Sequence, residues 1–226
     1  MVDMTDVADF NPEPVTEQKD YSELHKLQDN WTFYVRRDEK SNKKTWKQSI
    51  EVIGTIDTIE MFWSVYFKSH PPSGLCFGCD TILFKENIFP MAEIYPNNNG
   101  CYIELKFNSK DLIAGQNSLN RLSRSTPRET ISKFVDNIWE RMNSVILGCS
   151  IPEIYHIVTG LLVQVKTNNN FRYQIWTNSC NEEDCAALLT AMRNHLNDVL
   201  TLNEVQTDNL NFKLCRHKNY TEKLEK

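Results

Sequence analysis

What this chain has little of narrows its reading first. Glycine and proline are sparse, at 7 and 8 of 226 residues, while 40% of the chain is hydrophobic and 24% charged, the composition of a folded soluble protein. No apolar run approaches the roughly 18 residues that a membrane helix requires. The first twenty residues are acidic and contain no apolar stretch, so no secretory leader is expected. Seven cysteines are an odd number and lie scattered between Cys76 and Cys215. Disulfide frameworks belong to short secreted chains, so reduced thiols in a cytoplasmic protein are expected.

Catalytic signatures are missing too. There is no Gly-x-Ser-x-Gly elbow and no Gly-rich phosphate loop, and the five histidines show no metal-ligand spacing. Cys76-Phe-Gly-Cys79 has redox spacing, but it opens no βαβ unit and has no second such pair to complete a zinc site. The expectation is a protein without enzymatic activity, cofactor or metal.

The charge that is present is unevenly placed. The formal net charge is −5, and residues 1–20 hold six acids against Lys19 alone, which accounts for all of it. The rest of the chain is neutral, with a basic lean over its last residues (Lys213, Arg216, Lys218, Lys223, Lys226). Any nucleic-acid site must therefore be a local patch. Residues 1–24 read as a disordered acidic tail, 25–218 as one domain, and 219–226 as a flexible end.

Within the domain, Trp31–Arg37 and Trp46–Ile53 read as strands, the second closed by Gly54, on either side of a polar turn at Lys40–Lys44. Asp57-Thr-Ile-Glu60 has the form of a capping box. Ile59, Phe62, Trp63 and Tyr66 follow at the spacing of one helical face, and the helix ends before Pro71-Pro72. A polar, Pro/Gly-punctuated stretch then runs from Ser69 to Gly100 with one short apolar segment, Thr81–Phe84. Cys101–Phe107 alternates, with Cys101, Ile103, Leu105 and Phe107 facing one way and Tyr102, Glu104 and Lys106 the other.

Thr126, Pro127 and Glu129 open a second helix whose apolar face runs from Ile131 to Ile146, with Gly148 as its stop. Thr159–Val165 and Phe171–Trp176 flank a hairpin turn at Thr167–Asn170. A third helix starts near Asn181 with Cys185, Leu188, Leu189, Met192, Leu196 and Val199 inward, and Asn211–Cys215 is a last strand. The order predicts an α+β fold, a mixed-order antiparallel sheet with helices on one face.

The five tryptophans are the informative residues. Trp31, Trp139 and Trp176 sit in apolar patterns and suit a core; Trp63 suits either a core or an exposed binding surface. Trp46 stands apart, following Lys43-Lys44-Thr45 at a loop-to-strand junction. An aromatic beside cations on a loop is what a stacking platform for a base looks like.

Trp31, Lys44-Thr45-Trp46, Asp57–Trp63, Leu83-Phe84-Lys85, Pro90-Met91-Ala92-Glu93, Trp139 and Ile175-Trp176-Thr177 together resemble, in order and spacing, the eukaryotic translation initiation factor 4E family. The resemblance covers about residues 25–217. It implies a curved antiparallel sheet of about eight strands backed by three long helices on its convex face, with the 7-methylguanosine cap of messenger RNA held in the concave mouth.

The chemistry is coherent. Methylated guanine is cationic, so stacking on aromatic faces gains a cation–π contribution of about 0.5–2 kcal/mol. A carboxylate reads the guanine N–H edge, and Lys or Arg holds the phosphates. By position, the resemblance makes Trp46 a stacking residue, Glu93 the guanine-reading acid, and Lys166 and Arg172 the phosphate-binding cations. It also assigns His25, Ile59 and Trp63, with Glu140 and Arg141, to a dorsal surface. That surface would receive a Tyr-x-x-x-x-Leu-hydrophobic helix from a scaffold initiation factor of the 4G type or from a repressor.

Three departures stand out. Ala92 replaces the family's second stacking tryptophan, with Tyr95 or Phe89 the nearest rings. Glu140 and Arg141 replace an apolar residue and an acid. Cys101 replaces an arginine near the phosphates. These suit a divergent, monomeric cap-binding member, or a protein-interaction module of the same fold with weak or no cap binding.

Overall fold

The computed structural model describes residues 24–37, 45–108, 127–166, 170–202 and 211–217. The acidic tail, the C-terminal end, the turns at 40–44 and 167–169, and the Thr126 cap lie outside the described residues. Seven strands form one sheet: β1 (Lys26–Arg36), β2 (Ile50–Thr58), β3 (Asp80–Lys85), β4 (Cys101–Asn108), β5 (Val158–Lys166), β6 (Asn170–Thr177) and β7 (Asn211–Arg216). Their spatial order is β2-β1-β3-β5-β6-β4-β7, every neighbour pair is antiparallel, and the sheet is curved.

Three long helices, α1 (Ile59–Lys68), α2 (Pro127–Leu147) and α4 (Glu182–Leu202), with the one-turn α3 (Pro152–Tyr155), complete an α+β fold. The main core joins the helices to one face of the sheet. Phe134, Val135, Ile138, Trp139, Met142 and Ile146 of α2 and Leu188, Met192 and Leu196 of α4 meet Phe33, Leu83, Leu105, Val163, Tyr173 and Ile175. These are the apolar faces that the helical spacing predicts. Asn181 caps α4, its side-chain oxygen accepting from the Glu183 and Asp184 amides at 2.9 and 3.1 Å.

Several expectations are corrected. Trp46 lies in no strand: it precedes a single 3-10 turn, Lys47–Ser49, and β2 starts only at Ile50, then continues through Gly54 to Thr58. The helix α1 is capped by Thr58, whose hydroxyl accepts from the Met61 amide at 3.1 Å, not by Asp57. Asp57 instead pairs with Lys26 (2.7 Å), and Glu60 turns to the His25 amide and ring. Thr81–Phe84 is part of the interior strand β3.

Helix α2 does end before Gly148, but the left-handed residue is Cys149 (φ 49°). The Ser150 amide closes that turn onto the Val145 carbonyl at 3.0 Å. Cys101 is fully buried toward α4, with its Sγ 3.3 Å from the Cys185 Sγ, and burial pushes its thiol up to about 11.

Candidate functional site

The sheet face without helices carries its own smaller cluster. Tyr34, Ile82, Phe84, Leu162 and Trp176 are buried there, with Trp46, Ile50, Ile88, Phe89, Ala92 and Tyr102 packed at its margin. Gly160 makes this layer possible. It lies in register with Phe84 on β3 and Trp176 on β6, and a Cβ at this position would run into the Phe84 ring. Phe84 and Trp176 therefore meet edge-on, with ring centroids 5.3 Å apart. Trp176 also packs against Tyr102 and His217, and burial lowers the His217 imidazole to about 4, keeping it neutral.

Two loops meet at the rim of this face. One bears Trp46, the other runs from Glu86 to Asn97 and bears Phe89, Ala92, Glu93 and Tyr95. They are tied where the Trp46 indole Nε1 donates to the Pro90 carbonyl at 3.1 Å. Buried Asn97 shapes the second loop from within, donating to the Phe89 and Met91 carbonyls at 2.9 and 3.1 Å. Glu93 is exposed, and Tyr95 presents 75% of its surface to solvent. Phe89 is instead half-buried, edge-on to Tyr34 with centroids 6.1 Å apart.

Behind Trp46 lies Arg36, its guanidinium 4.7 Å from the indole centroid. Arg36 pairs with fully buried Asp80 (Nε to Oδ2, 2.6 Å) and donates to the Gly78 carbonyl; Gln164 donates to the same Asp80 oxygen at 3.1 Å. Register extends this into a polar row, Arg36–Asp80–Gln164–Arg172–Lys106, crossing β1, β3, β5, β6 and β4. Lys166 ends β5, opposite Asn170. The two expected cations thus lie on neighbouring strands at one end of the sheet.

Arg172 does not stand alone. Its Nε is 2.8 Å from Oε2 of Glu104, although the N–H is not directed at that oxygen, and Lys106 Nζ is 2.6 Å from Oε1. The sequence had pointed to Trp46, Glu93, Lys166 and Arg172; it passed over Arg36, Asp80, Gln164 and Glu104. The signal for Glu104 was available, since the β4 alternation puts it on the side of Lys106.

On the opposite side, α1 presents Ile59 and Met61, both exposed, and half-buried Trp63. The Trp63 ring stacks on Phe67 at 5.5 Å, and Phe67 is 76% exposed, which the helical face Ile59–Tyr66 did not include. His25 stands at the start of α1, its Nδ1 2.7 Å from Glu60. The hydroxyl of Tyr66 donates to Glu140 at 2.9 Å, and Arg141 is half-buried beside it. The Tyr66 phenol is raised by burial and by that carboxylate. Cys76–Cys79 forms a turn, the Cys79 amide donating to the Cys76 carbonyl at 3.1 Å, ahead of β3.

The sequence model for "Eukaryotic initiation factor 4E" matches residues 26–226. The chain is 29% identical over 184 residues to eukaryotic translation initiation factor 4E of Bos taurus, covering 77% of this chain and 75% of that one. It is 28% identical over 161 residues to eukaryotic translation initiation factor 4E-1 of Caenorhabditis elegans, covering 71% of this chain and 66% of that one.

Among solved structures, C. elegans eIF4E-3 in complex with the 4E-binding protein Mextli and cap analog superposes with a TM-score of 0.66 at 20% identity, covering 88% of this chain and 96% of that one. The schistosome eIF4E complexed with m7GpppA and 4E-BP gives 0.64 at 22% identity, covering 86% and 90%. At that identity the structural likeness speaks for the fold.

Proposed function

The chain belongs to the eukaryotic initiation factor 4E family, and on that premise we propose that its open sheet face binds the 7-methylguanosine cap of messenger RNA and that α1 recruits a partner in translation initiation or its regulation. The observation that carries this is the Trp46–Pro90 hydrogen bond, which joins the loop of the aromatic platform to the loop of the acid. A cationic guanine stacked on Trp46 would offer its N–H edge to the Glu93 carboxylate, and its phosphates would run toward Lys166 and Arg172.

With Ala92 in place of a second ring, the sandwich needs another aromatic. Phe89 is already held against Tyr34, whereas the Tyr95 ring is solvent-exposed and is assigned here as the closing face. The protein acts by binding, without a catalytic step, as a cytoplasmic monomer. Residues 25–218 form its binding domain.

Ile59, Trp63 and Phe67, at i, i+4 and i+8, give α1 an apolar stripe, with His25 paired to Glu60 at its start and Glu140 and Arg141 on α2. It suits an amphipathic Tyr-x-x-x-x-Leu-hydrophobic helix of a 4G-type scaffold or a repressor, such as the 4E-binding proteins seen with the related structures.

A second reading is a protein-interaction module with little cap affinity, favoured by Ala92 and by the acid that holds Arg172. Retention of the full chain on immobilised 7-methylguanosine, lost in Trp46→Ala and kept in Trp63→Ala, supports cap binding. Failure of the wild type to be retained supports the second reading, provided a helical Tyr-x-x-x-x-Leu peptide still binds and Trp63→Ala weakens it at least about tenfold.

A further inference from the structure

Arg172 on β6 and Lys106 on β4 face each other directly across the ladder, an arrangement of like charges that is destabilising unless answered. The answer is Glu104. Its side chain is 3% exposed, while Arg172 and Lys106 keep 31% and 52%, so the acid lies at the floor and the cations reach outward from it. Its Oε1 is 2.6 Å from Lys106 Nζ and its Oε2 2.8 Å from Arg172 Nε; Gln174 donates to Oε2 at 3.4 Å and accepts from the Trp176 indole at 3.0 Å. One buried carboxylate thus connects the cations at the phosphate end of the site to an aromatic residue of the open-face cluster.

We propose that Glu104 is a specificity-determining residue, a built-in counter-charge that competes with the ligand's phosphates for Arg172 and Lys106 and so makes the site respond weakly to phosphate number. The inference rests on the cap-binding reading above. A phosphate bound by these cations would lie within about 7 Å of the carboxylate, where like-charge repulsion in partly buried surroundings changes affinity about tenfold or more. The nucleoside part, stacked at Trp46 and read by Glu93, would not feel it. The result is a pocket that selects for the methylated base and takes little from the triphosphate.

The test is a titration of full-length protein with 7-methylguanosine, its monophosphate and its triphosphate. In the wild type the triphosphate should bind less than about tenfold better than the nucleoside; a gain of a hundredfold or more overturns the proposal. Glu104→Gln, which keeps the shape and the acceptor oxygen, should raise triphosphate affinity about tenfold, leave the nucleoside within about twofold and steepen the salt dependence. Adding Arg172→Gln should remove the gain. A Glu104→Gln effect equal for nucleoside and triphosphate marks a merely structural residue and overturns the proposal.

If no methylguanosine ligand binds either protein, the cap reading fails. Calorimetry with inorganic tripolyphosphate then decides on Glu104 alone: tighter binding by Glu104→Gln sustains the counter-charge, and equal binding refutes it.

Discussion

The two faces of one sheet are built on different terms. Against the helices, strand residues such as Leu83, Leu105, Val163 and Ile175 meet α2 and α4 in a large apolar core. On the open face the alternate positions hold a small aromatic cluster and two buried acids, Asp80 paired with Arg36 and Glu104 with Lys106 and Arg172. The first face is satisfied by volume and needs nothing more. The second contains charge pairs whose attraction does little more than offset the cost of their desolvation, and aromatic rings that reach the rim, so its composition is not accounted for by stability alone.

The comparison breaks most visibly on the helix side. Phe134 is fully buried, with its ring edge-on to Phe107, so Phe134→Ala should destabilise the protein by about 3–5 kcal/mol in denaturant unfolding. What remains folded should still bind ligand. On the open side the opposite split is expected: Trp46→Ala should lose about 1–3 kcal/mol of affinity for a 7-methylguanosine ligand while unfolding within about 1 kcal/mol of wild type.

Gly160→Ala would test whether the open layer is packed as tightly as the core. Its Cβ runs into Phe84, so a loss of about 1–3 kcal/mol in stability is expected, accompanied by a change in Trp176 fluorescence.

A pH effect of on the order of 2 kcal/mol should come from His217. Its imidazole is lowered from 6.5 to about 4 by burial, so between those values the unfolded chain binds more protons. This contribution is full above pH 6.5 and is lost as pH falls toward 4. His217→Gln should flatten that part of the stability–pH curve relative to wild type. Smallest of all, Lys26→Ala should change stability by less than about 1 kcal/mol, because its pair with Asp57 is solvent-exposed.

The same contrast explains what the sequence revealed. Helices α2 and α4 were legible because burying one side imposes the helical period on Phe134, Ile138, Met142 and on Cys185, Leu188, Met192. Strand β3 was passed over because it is buried on both faces, which erases the alternation, and because it sits amid turn residues. Trp46 drew attention as a loop aromatic, yet its local structure was misread: the strand propensity of its neighbours gave way to a 3-10 turn that brings the indole to Pro90.

The acid that holds Arg172 was hidden for another reason. Periodicity shows that Glu104 and Lys106 share a side, but only the β4–β6 register brings Arg172 and Gln174 to them. Likewise Arg36 and Asp80, far apart in sequence, are joined by the pairing of β1 with β3. Cross-strand partners are a property of register, which alternation along one strand does not fix.

The central claim is that the open face recognises a cationic guanine. It is tested most directly by titrating the full chain, followed by tryptophan fluorescence, with 7-methylguanosine triphosphate and with unmethylated GTP. Saturable quenching by the methylated nucleotide, much weaker with GTP and abolished by Trp46→Ala, is the expected result. Equal responses to the two nucleotides, or no saturable quenching by either up to high-micromolar ligand, would contradict it.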